Sequence, residues 1–197
     1  MSALKRILVS LAAVSTVIVS ASAFAVKPAD RDSIIDVAVA INAATVTTED
    51  PDGEFFTLYS ALLAYPEIAA VLDGKGQFTV FAPTDAAFTD LEVNLLLPAF
   101  GCATVFDLAA ADPGYVADVL LYHVARGRMD SAEVLPKDQI RMLSKDFVTR
   151  TPFSTSITDA LGRTANLETL DVPADNGVIH VISKVILPYA PAGSCSP

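Results

Sequence analysis

The spacing of apolar positions changes about halfway along the chain, and this change predicts an α+β fold. In the first half, residues 32–42 and 56–72 carry apolar side chains at helical spacing, and Pro66 is expected to interrupt the second segment. In the second half, residues 146–188 form short apolar segments that alternate with Gly, Asn and Asp turns. Helices followed by strands, without a repeat or a linker, predict one α+β domain.

A sharp corner between a strand and a helix is predicted at FTVFAPTDAAF, residues 78–88. The run FTVFA is rich in aromatic and β-branched residues, which favours a buried strand. Pro83 removes a ladder donor and should end this strand. Thr84 is a good helix N-cap, and Asp85 places a negative charge in the first helical turn.

The strongest strand signal in the sequence covers residues 177–187. Side chains of a strand alternate between its two faces, so the segment should present two sets of residues to two different environments. One face is predicted to carry Val178, His180, Ile182 and Lys184, and the other Ile179, Val181, Ser183 and Val185.

The N-terminus has the features of an export signal. Lys5 and Arg6 precede a largely apolar run, and Ala23-Phe24-Ala25 has the small-x-small form of a cleavage site. We therefore predict a signal peptide over residues 1–25, and a secreted or periplasmic mature protein without membrane insertion. The alternative is an uncleaved anchor, since residues 7–25 are almost long enough to span a bilayer.

The charge of the chain argues against two classes of partner. The formal net charge is −10; removal of Lys5 and Arg6 with the signal peptide makes it about −12 by the same counting. An acidic surface repels phosphate groups and anionic lipids, which argues against nucleic acids and membrane surfaces as partners. High negative charge also keeps an exported protein soluble, and this simpler explanation is sufficient.

The two cysteines, Cys102 and Cys195, predict one disulfide bond in an exported protein. Such a bond would tie the C-terminal tail to the middle of the chain. Closing a loop of about 90 residues reduces the entropy of the unfolded chain and so stabilises the folded protein by roughly 4–5 kcal/mol. A free or intermolecular thiol remains the alternative, because the sequence does not fix the geometry of the pair.

Three motifs, in order, resemble the fasciclin (FAS1) domain: FTVFAPTDAAFTDL, LLYHVARGRM and NGVIHVISKVILP. The similarity extends over residues 32–188 and leaves residues 189–197 as a C-terminal tail. It implies an α+β fold: a mixed β-sandwich or wedge of about seven strands, with several helices packed at one edge. The chain departs from the family pattern in residues 146–175, which have no clear Gly-rich hairpin, so the strand register there stays open.

The same resemblance implies a function in binding. Members of the family act in adhesion and matrix contact, usually without catalysis. We expect an exported, non-enzymatic protein without cofactor, whose partner is a cell-surface or matrix protein or a polysaccharide. The alternative is a carrier of a small apolar ligand, similar to a carotenoid or a lipid, which a composition of 52% hydrophobic residues allows. An enzyme is the third alternative.

The two histidines of the chain, His123 and His180, both lie in the matched motifs. A metal site or acid–base pair with Asp85 is one interpretation. However, no HExxH spacing occurs, and both histidines lie in apolar segments, so we predict structural roles and no catalytic or metal site. We expect a hydrogen bond between Asp85 and His123 at the corner. The residues expected to define the structural motifs are Pro83, Thr84, Asp85, His123, Gly177 and His180.

The segment around Tyr122 is the predicted binding site. In animal relatives, a Tyr-His pair with aliphatic neighbours is associated with integrin recognition, and the resemblance transfers this role to Tyr122 and His123, flanked by Leu121 and Val124. The competing interpretation is that these residues belong to the core. The acidic residues 49–54 invite a calcium-loop interpretation, but the glycine is misplaced for that motif, and a surface turn is expected.

Overall fold

The computed structural model describes residues 32–47, 53–150 and 154–192, together with Cys195. The helices are α1 (Ile34–Thr45), α2 (Phe56–Ala64), α3 (Pro66–Leu72), α4 (Asp85–Leu91), a π-helical turn (Glu92–Leu96), α5 (Leu97–Phe100), α6 (Val105–Ala111), α7 (Pro113–Tyr122) and α8 (Ser131–Val134). The strands are β1 (Phe78–Pro83), β2 (Val124–Arg126), β3 (Gln139–Arg141), β4 (Phe147–Thr149), β5 (Ser156–Thr158), β6 (Thr164–Ala174) and β7 (Gly177–Ile182). The predicted signal peptide and residues 49–52 lie outside the described residues.

The seven strands form one mixed sheet in the order β2-β1-β7-β6-β5-β4-β3. Only β1 and β7 pair in parallel among these strands; the other neighbours are antiparallel. The sheet curls until its two edge strands nearly meet. There Ala125 forms a bridge with Met142, and the Leu143 N–H donates to the Val124 carbonyl at 2.7 Å. This architecture confirms the predicted α+β fold of about seven strands.

The long strand β6 makes the curl possible. It has 11 residues, and its register against β7 shifts between Leu167 and Thr169 and again between Thr169 and Val172. Such irregularities bend a strand and increase its twist. As a result, the first part of β6 pairs with β5 while most of the strand pairs with β7, and the sheet turns back on itself.

Two hydrophobic cores lie on opposite faces of the β1 and β7 strands. One lies between the sheet and helices α1–α7 and includes Ile179 and Val181 of β7. The other fills the interior of the curl and includes Phe81 and Ile182. The ring of His180 lies 5.6 Å from that of Phe81, centroid to centroid, on the same face as Ile182. The predicted alternation of β7 is therefore confirmed.

The predicted end of β7 is wrong, because the strand stops at Ile182 rather than continuing to Leu187. At residues 186 and 187, side chains instead of a neighbouring strand accept the hydrogen bonds of the backbone N–H groups. The Ile186 N–H donates to His123 and the Leu187 N–H to Asp159. The segment therefore has the apolar sequence of a strand but does not pair with a neighbouring strand, which is why the sequence predicted a longer β7.

The predicted corner after β1 is confirmed. The strand ends at Pro83, and the hydroxyl of Thr84 accepts a hydrogen bond from the Ala87 N–H at the start of α4. Pro66 separates α2 from α3 by occupying the first position of α3, where its missing N–H costs nothing. Both features follow from local proline and capping chemistry.

The hairpin between β5 and β6 resolves the register that the sequence left open. Gly162 lies in its turn with a φ of 77°, a conformation that glycine adopts without strain. The carboxylate of Asp159 accepts hydrogen bonds from the Leu161 and Arg163 N–H groups at 3.0 and 2.9 Å. A glycine turn therefore joins β5 to β6, and Asp159 and Gly162 are the residues that form it.

Cys102 and Cys195 form a disulfide in the structure, with an S–S distance of 2.00 Å and a sequence separation of 93. Cys102 is fully buried in the core between sheet and helices. The Cys195 N–H donates to the Phe100 carbonyl at 2.9 Å. The bond therefore fastens the tail to the end of the helical layer, as the intramolecular alternative predicts.

The helices are short. Within the described residues no single helix is long and apolar enough to cross a bilayer, although the bent pair Asp85–Phe100 and Val105–Ala111 meets that test by length and composition. Much of the apolar surface of these helices faces the sheet, where Leu91, Leu96 and Leu108 are almost completely buried.

We expect Gly177→Ala to destabilise the protein by about 3 kcal/mol, a typical large effect of overpacking. The added Cβ would lie 2.0 Å from the Phe78 carbonyl oxygen and 2.7 Å from Cδ1 of Ile34. Urea unfolding gives the free energy. Gly114→Ala is the matched control: its Cβ would meet nothing closer than 3.6 Å, and alanine favours the α7 helix. Equal losses in the two variants would contradict the close packing of β1 and β7.

Candidate functional site

His123 occupies the junction between α7 and the final segment of the chain. It is the C-cap of α7, and its side chain is buried. The Nδ1–H donates to the Val119 carbonyl at 2.7 Å, while Nε2 accepts from the Ile186 N–H at 3.1 Å. Desolvation by burial lowers the pKa of His123 to about 4, so the ring is neutral at physiological pH. A neutral ring satisfies both neighbours, which supports the predicted structural role.

Asp159 binds Leu187, the residue that follows Ile186 in the final segment of the chain. Its Oδ2 accepts from the Leu187 N–H at 3.1 Å and from Arg163 Nη2 at 2.8 Å. Arg163 in turn donates to the Val185 carbonyl at 2.7 Å. Neither Asp159 nor Arg163 was predicted from the sequence. Their signal was weak: an acid that opens a glycine turn, with an arginine four residues later.

The predicted hydrogen bond between Asp85 and His123 is wrong. The Asp85 carboxylate instead accepts from the backbone N–H groups of Phe56 at 3.1 Å and Thr57 at 2.9 Å. These are the first donors of α2, whose own N-cap residue, Phe55, supplies no side-chain acceptor. An acid at a helix N-terminus satisfies free donors and interacts favourably with the helix dipole. Asp85 therefore caps a helix distant in sequence.

Tyr122, His123 and Val124, which the sequence predicts to contact a partner directly, are all buried in this structure, and of the three only His123 reaches the groove described below. The Tyr122 hydroxyl donates to the Phe147 carbonyl at 2.8 Å inside the curl of the sheet. Leu121 is half-buried and packs against the helical core. This segment connects the two cores, and its apolar composition reflects that position.

His180 is fully buried on the other side of the sheet from the helices. Its Nε2–H donates to the Met129 carbonyl at 3.0 Å, and Nδ1 accepts from the Asp171 N–H at 3.2 Å. Burial lowers its pKa as well. The two histidines thus serve separate backbone contacts. Among the described residues, no three His, Cys, Asp or Glu side chains cluster closely enough to hold a metal.

An apolar groove lies on the helical side of the molecule. Its walls come from α2, α4, α6 and α7, and its floor includes Pro83, His123 and Leu187. Phe106 stands at this groove with 44% of its surface exposed. The side chains of Tyr65, Ala109 and Val116 line it and are half-buried. This groove was not predicted from the sequence, because the residues of its walls come from four separate helices.

The groove is small and apolar. Its enclosed space is about 50 Å³, which rises to about 630 Å³ when its open mouth is included. Polar atoms contribute no exposed surface to its walls. Burial is the main cause that raises the pKa of both Tyr65 and Tyr115, so their hydroxyls stay neutral. Covering such a surface is favourable, because it removes apolar area from water.

The family of the chain follows from its similarity to known protein domains. The fasciclin domain model matches residues 53–188. This chain belongs to the fasciclin domain family. The resemblance in the three motifs is therefore confirmed, and α1 precedes the matched region while packing against it through Ile34.

Two proteins of the cyanobacterium Synechocystis resemble this fasciclin domain over most of their length. Protein sll1735 is 36% identical over 137 residues, which cover 69% of this chain and 91% of that protein. Protein sll1483 is 29% identical over 163 residues, covering 81% and 82%. Mouse stabilin-1 is 28% identical over 137 residues, but the match covers only 5% of that much longer protein.

The same fold occurs in a solved structure of a FAS1 domain pair from fasciclin I, an insect cell adhesion molecule. The TM-score is 0.50 at 19% sequence identity, and the match covers 69% of this chain and 46% of that two-domain chain. This likeness concerns the fold.

We expect the acid sensitivity of the protein to depend on His123. An exposed histidine titrates near pH 6.5, so between about pH 6.5 and 4 the unfolded chain binds a proton that the folded protein does not. The resulting stability is complete above pH 6.5 and is lost as the pH falls towards 4. The pKa of about 4 corresponds to a loss of about 3 kcal/mol.

The test compares wild type with His123→Gln, which does not titrate but keeps a side-chain donor and acceptor. Urea unfolding from about pH 7 to about pH 4 should show the wild type losing about 3 kcal/mol more than the variant. The carboxylates titrate alike in both chains and cancel in this comparison. Parallel pH profiles for the two chains would show that His123 is not held neutral.

Proposed function

We propose that this fasciclin domain is an exported, non-catalytic binding protein that acts by contact at a cell surface or matrix. The observation that carries the proposal is the apolar groove on the helical face, with Phe106 exposed beside it. Exposed aromatic side chains next to shallow apolar depressions are frequent anchors of protein interfaces. An apolar groove favours a protein partner over a polysaccharide.

The dimensions of the groove favour surface contact over ligand storage. Pockets that enclose small molecules usually have volumes of about 300–1,000 Å³. The enclosed space here is about 50 Å³, enough for one small apolar group. A partner could insert a single side chain into this space and cover the open mouth with its own surface.

The state of the histidines supports a non-catalytic role. In both His123 and His180 one ring nitrogen donates to a carbonyl and the other accepts from a backbone N–H. Burial also lowers the pKa of both rings, to about 4 in His123, which makes each a weaker general base near neutral pH. The description of the related insect protein as a cell adhesion molecule agrees with a function in binding.

We expect Phe106→Ser to weaken binding of the mature protein to washed cells of its native host about 30-fold, the effect of losing an aromatic anchor worth about 2 kcal/mol. Titration of labelled protein against cells measures the dissociation constant. Phe147→Ser is the matched control, because Phe147 is 47% exposed on β4 and is not among the residues that line the groove. Equal weakening by both substitutions, or no binding of the wild type, would overturn the proposal.

The second candidate function is transport of a small apolar ligand, and the wholly apolar lining of the groove favours it. On the adhesion proposal, protein purified from its native host should show a plain protein spectrum, and mass spectrometry of an organic extract should find no stoichiometric compound. A bound chromophore or lipid at a molar ratio near one would instead show that the helices open to enclose a ligand. The carrier function would then replace adhesion.

A further inference from the structure

The ionisable residues are unevenly divided between the helical and the sheet parts of the domain. From Glu54 to His123, which includes every helix that lines the groove, the sequence has nine acids and one basic residue, Lys75. From Val124 to Leu187, eight acids are balanced by eight basic residues. Between Glu54 and Leu187, the excess of negative charge therefore lies in residues 54–123, the helical part that carries the groove.

Several of these acids lie close to the groove. Glu67 and Asp112 are near enough to Tyr65 to add to the rise in its pKa that burial causes. The Tyr65 hydroxyl donates to the Pro113 carbonyl at 3.0 Å, which joins α2 to the start of α7. The Asp112 carboxylate caps α7 by accepting from the Tyr115 N–H at 3.0 Å. The rim of the groove thus carries negative charge where α2, α3 and α7 approach one another.

A third acid lies beside Tyr115, another residue of the lining. The ring of Tyr189 packs edge-on against the ring of Tyr115 with centroids 5.2 Å apart. The Tyr189 hydroxyl donates to the Asp118 carboxylate at 2.7 Å. Glu67 is exposed, and Asp112 and Asp118 are half-buried, so all three carboxylates are accessible from solvent.

The basic groups nearest to this face already have acidic partners. Lys184 Nζ lies 3.1 Å from the Asp90 carboxylate, and Arg163 Nη2 lies 2.8 Å from that of Asp159. Lys75 lies on a different surface depression, together with Ser33, Gln77 and Asp175. The acids at the rim are therefore not neutralised by these cations.

From the apolar groove and its acidic rim, we propose that the partner is a cationic amphipathic segment of another protein, with apolar side chains on one face and lysine or arginine beside them. This inference rests on the proposed binding function. The apolar face would cover Phe106 and the groove, and the basic side chains would meet Glu67, Asp112 and Asp118. Complementary charge of this kind selects the partner and speeds association.

The probe is a synthetic peptide of about 18 residues, roughly five helical turns, with leucine at helical spacing and lysine elsewhere. A second peptide carries glutamate in place of every lysine. Isothermal titration against the mature protein should detect the lysine peptide and not the glutamate peptide. Binding should weaken as salt rises from about 0.05 to about 0.5 M, because salt screens exposed charges.

Two triple variants with the same change of net charge test where binding occurs. Glu67→Gln, Asp112→Asn and Asp118→Asn together should weaken binding of the lysine peptide about tenfold, since exposed charge pairs contribute modestly and add. Asparagine retains the cap of α7 and an acceptor for Tyr189. The control combines Glu133→Gln, Asp146→Asn and Glu168→Gln, three exposed acids in the sheet part, and should alter the affinity less than twofold.

Equal weakening by the two triple variants would show that the peptide responds to net charge alone and would overturn the proposal, as would equal binding of the glutamate peptide. The outcome for the broader function is separate. If Phe106→Ser lowers binding to cells while the lysine peptide does not bind, the groove is an interface for a different kind of partner. If neither cells nor peptide bind, the binding function itself fails.

Discussion

The parallel pairing of β1 with β7 is the contact on which the rest of the structure depends. It joins the first strand of the chain to the last, and all twelve residues of the two strands are buried. One face of the pair supports the helical layer, and the other closes the curl of the sheet. Gly177 allows the backbones to meet, because any Cβ there would strike the Phe78 carbonyl. A loss of this pairing would divide both cores at once.

A neutral imidazole is well suited to the junctions beside this pair. It offers one donor and one acceptor at fixed positions, so it can join a carbonyl to an N–H from distant parts of the chain. His123 and His180 both do so, with opposite tautomers: Nδ1 donates in the first and Nε2 in the second. A carboxylate in the same place would accept only, and a buried lysine would carry an unpaired charge. The family motif therefore places histidine where the chain needs both functions without a charge.

Features that depend on a few neighbouring residues could be predicted from the sequence. The corner at Pro83, the interruption at Pro66 and the alternation along β7 all follow from proline geometry, capping and strand periodicity. The resemblance added the order of elements. Features that join distant segments were missed or wrong: Asp85 caps a helix that begins 29 residues earlier, and Asp159 holds Leu187 across 28 residues. No local pattern encodes such a partner, because any acid in a turn looks the same in sequence.

The groove shows why the family motifs indicate the fold more directly than the partner. Tyr122 and His180 are buried and do not line the groove, and the ring of His123, at the groove floor, is hydrogen-bonded to the backbone through both nitrogens. Binding has to come from residues that lose exposed apolar surface on contact, and Phe106 is such a residue on the helical side. Phe106 is exposed and belongs to neither hydrophobic core, so the β1 and β7 pair does not depend on it. On the proposed binding function, specificity would therefore be a property of the helical surface, whereas the motifs preserve the scaffold that supports it.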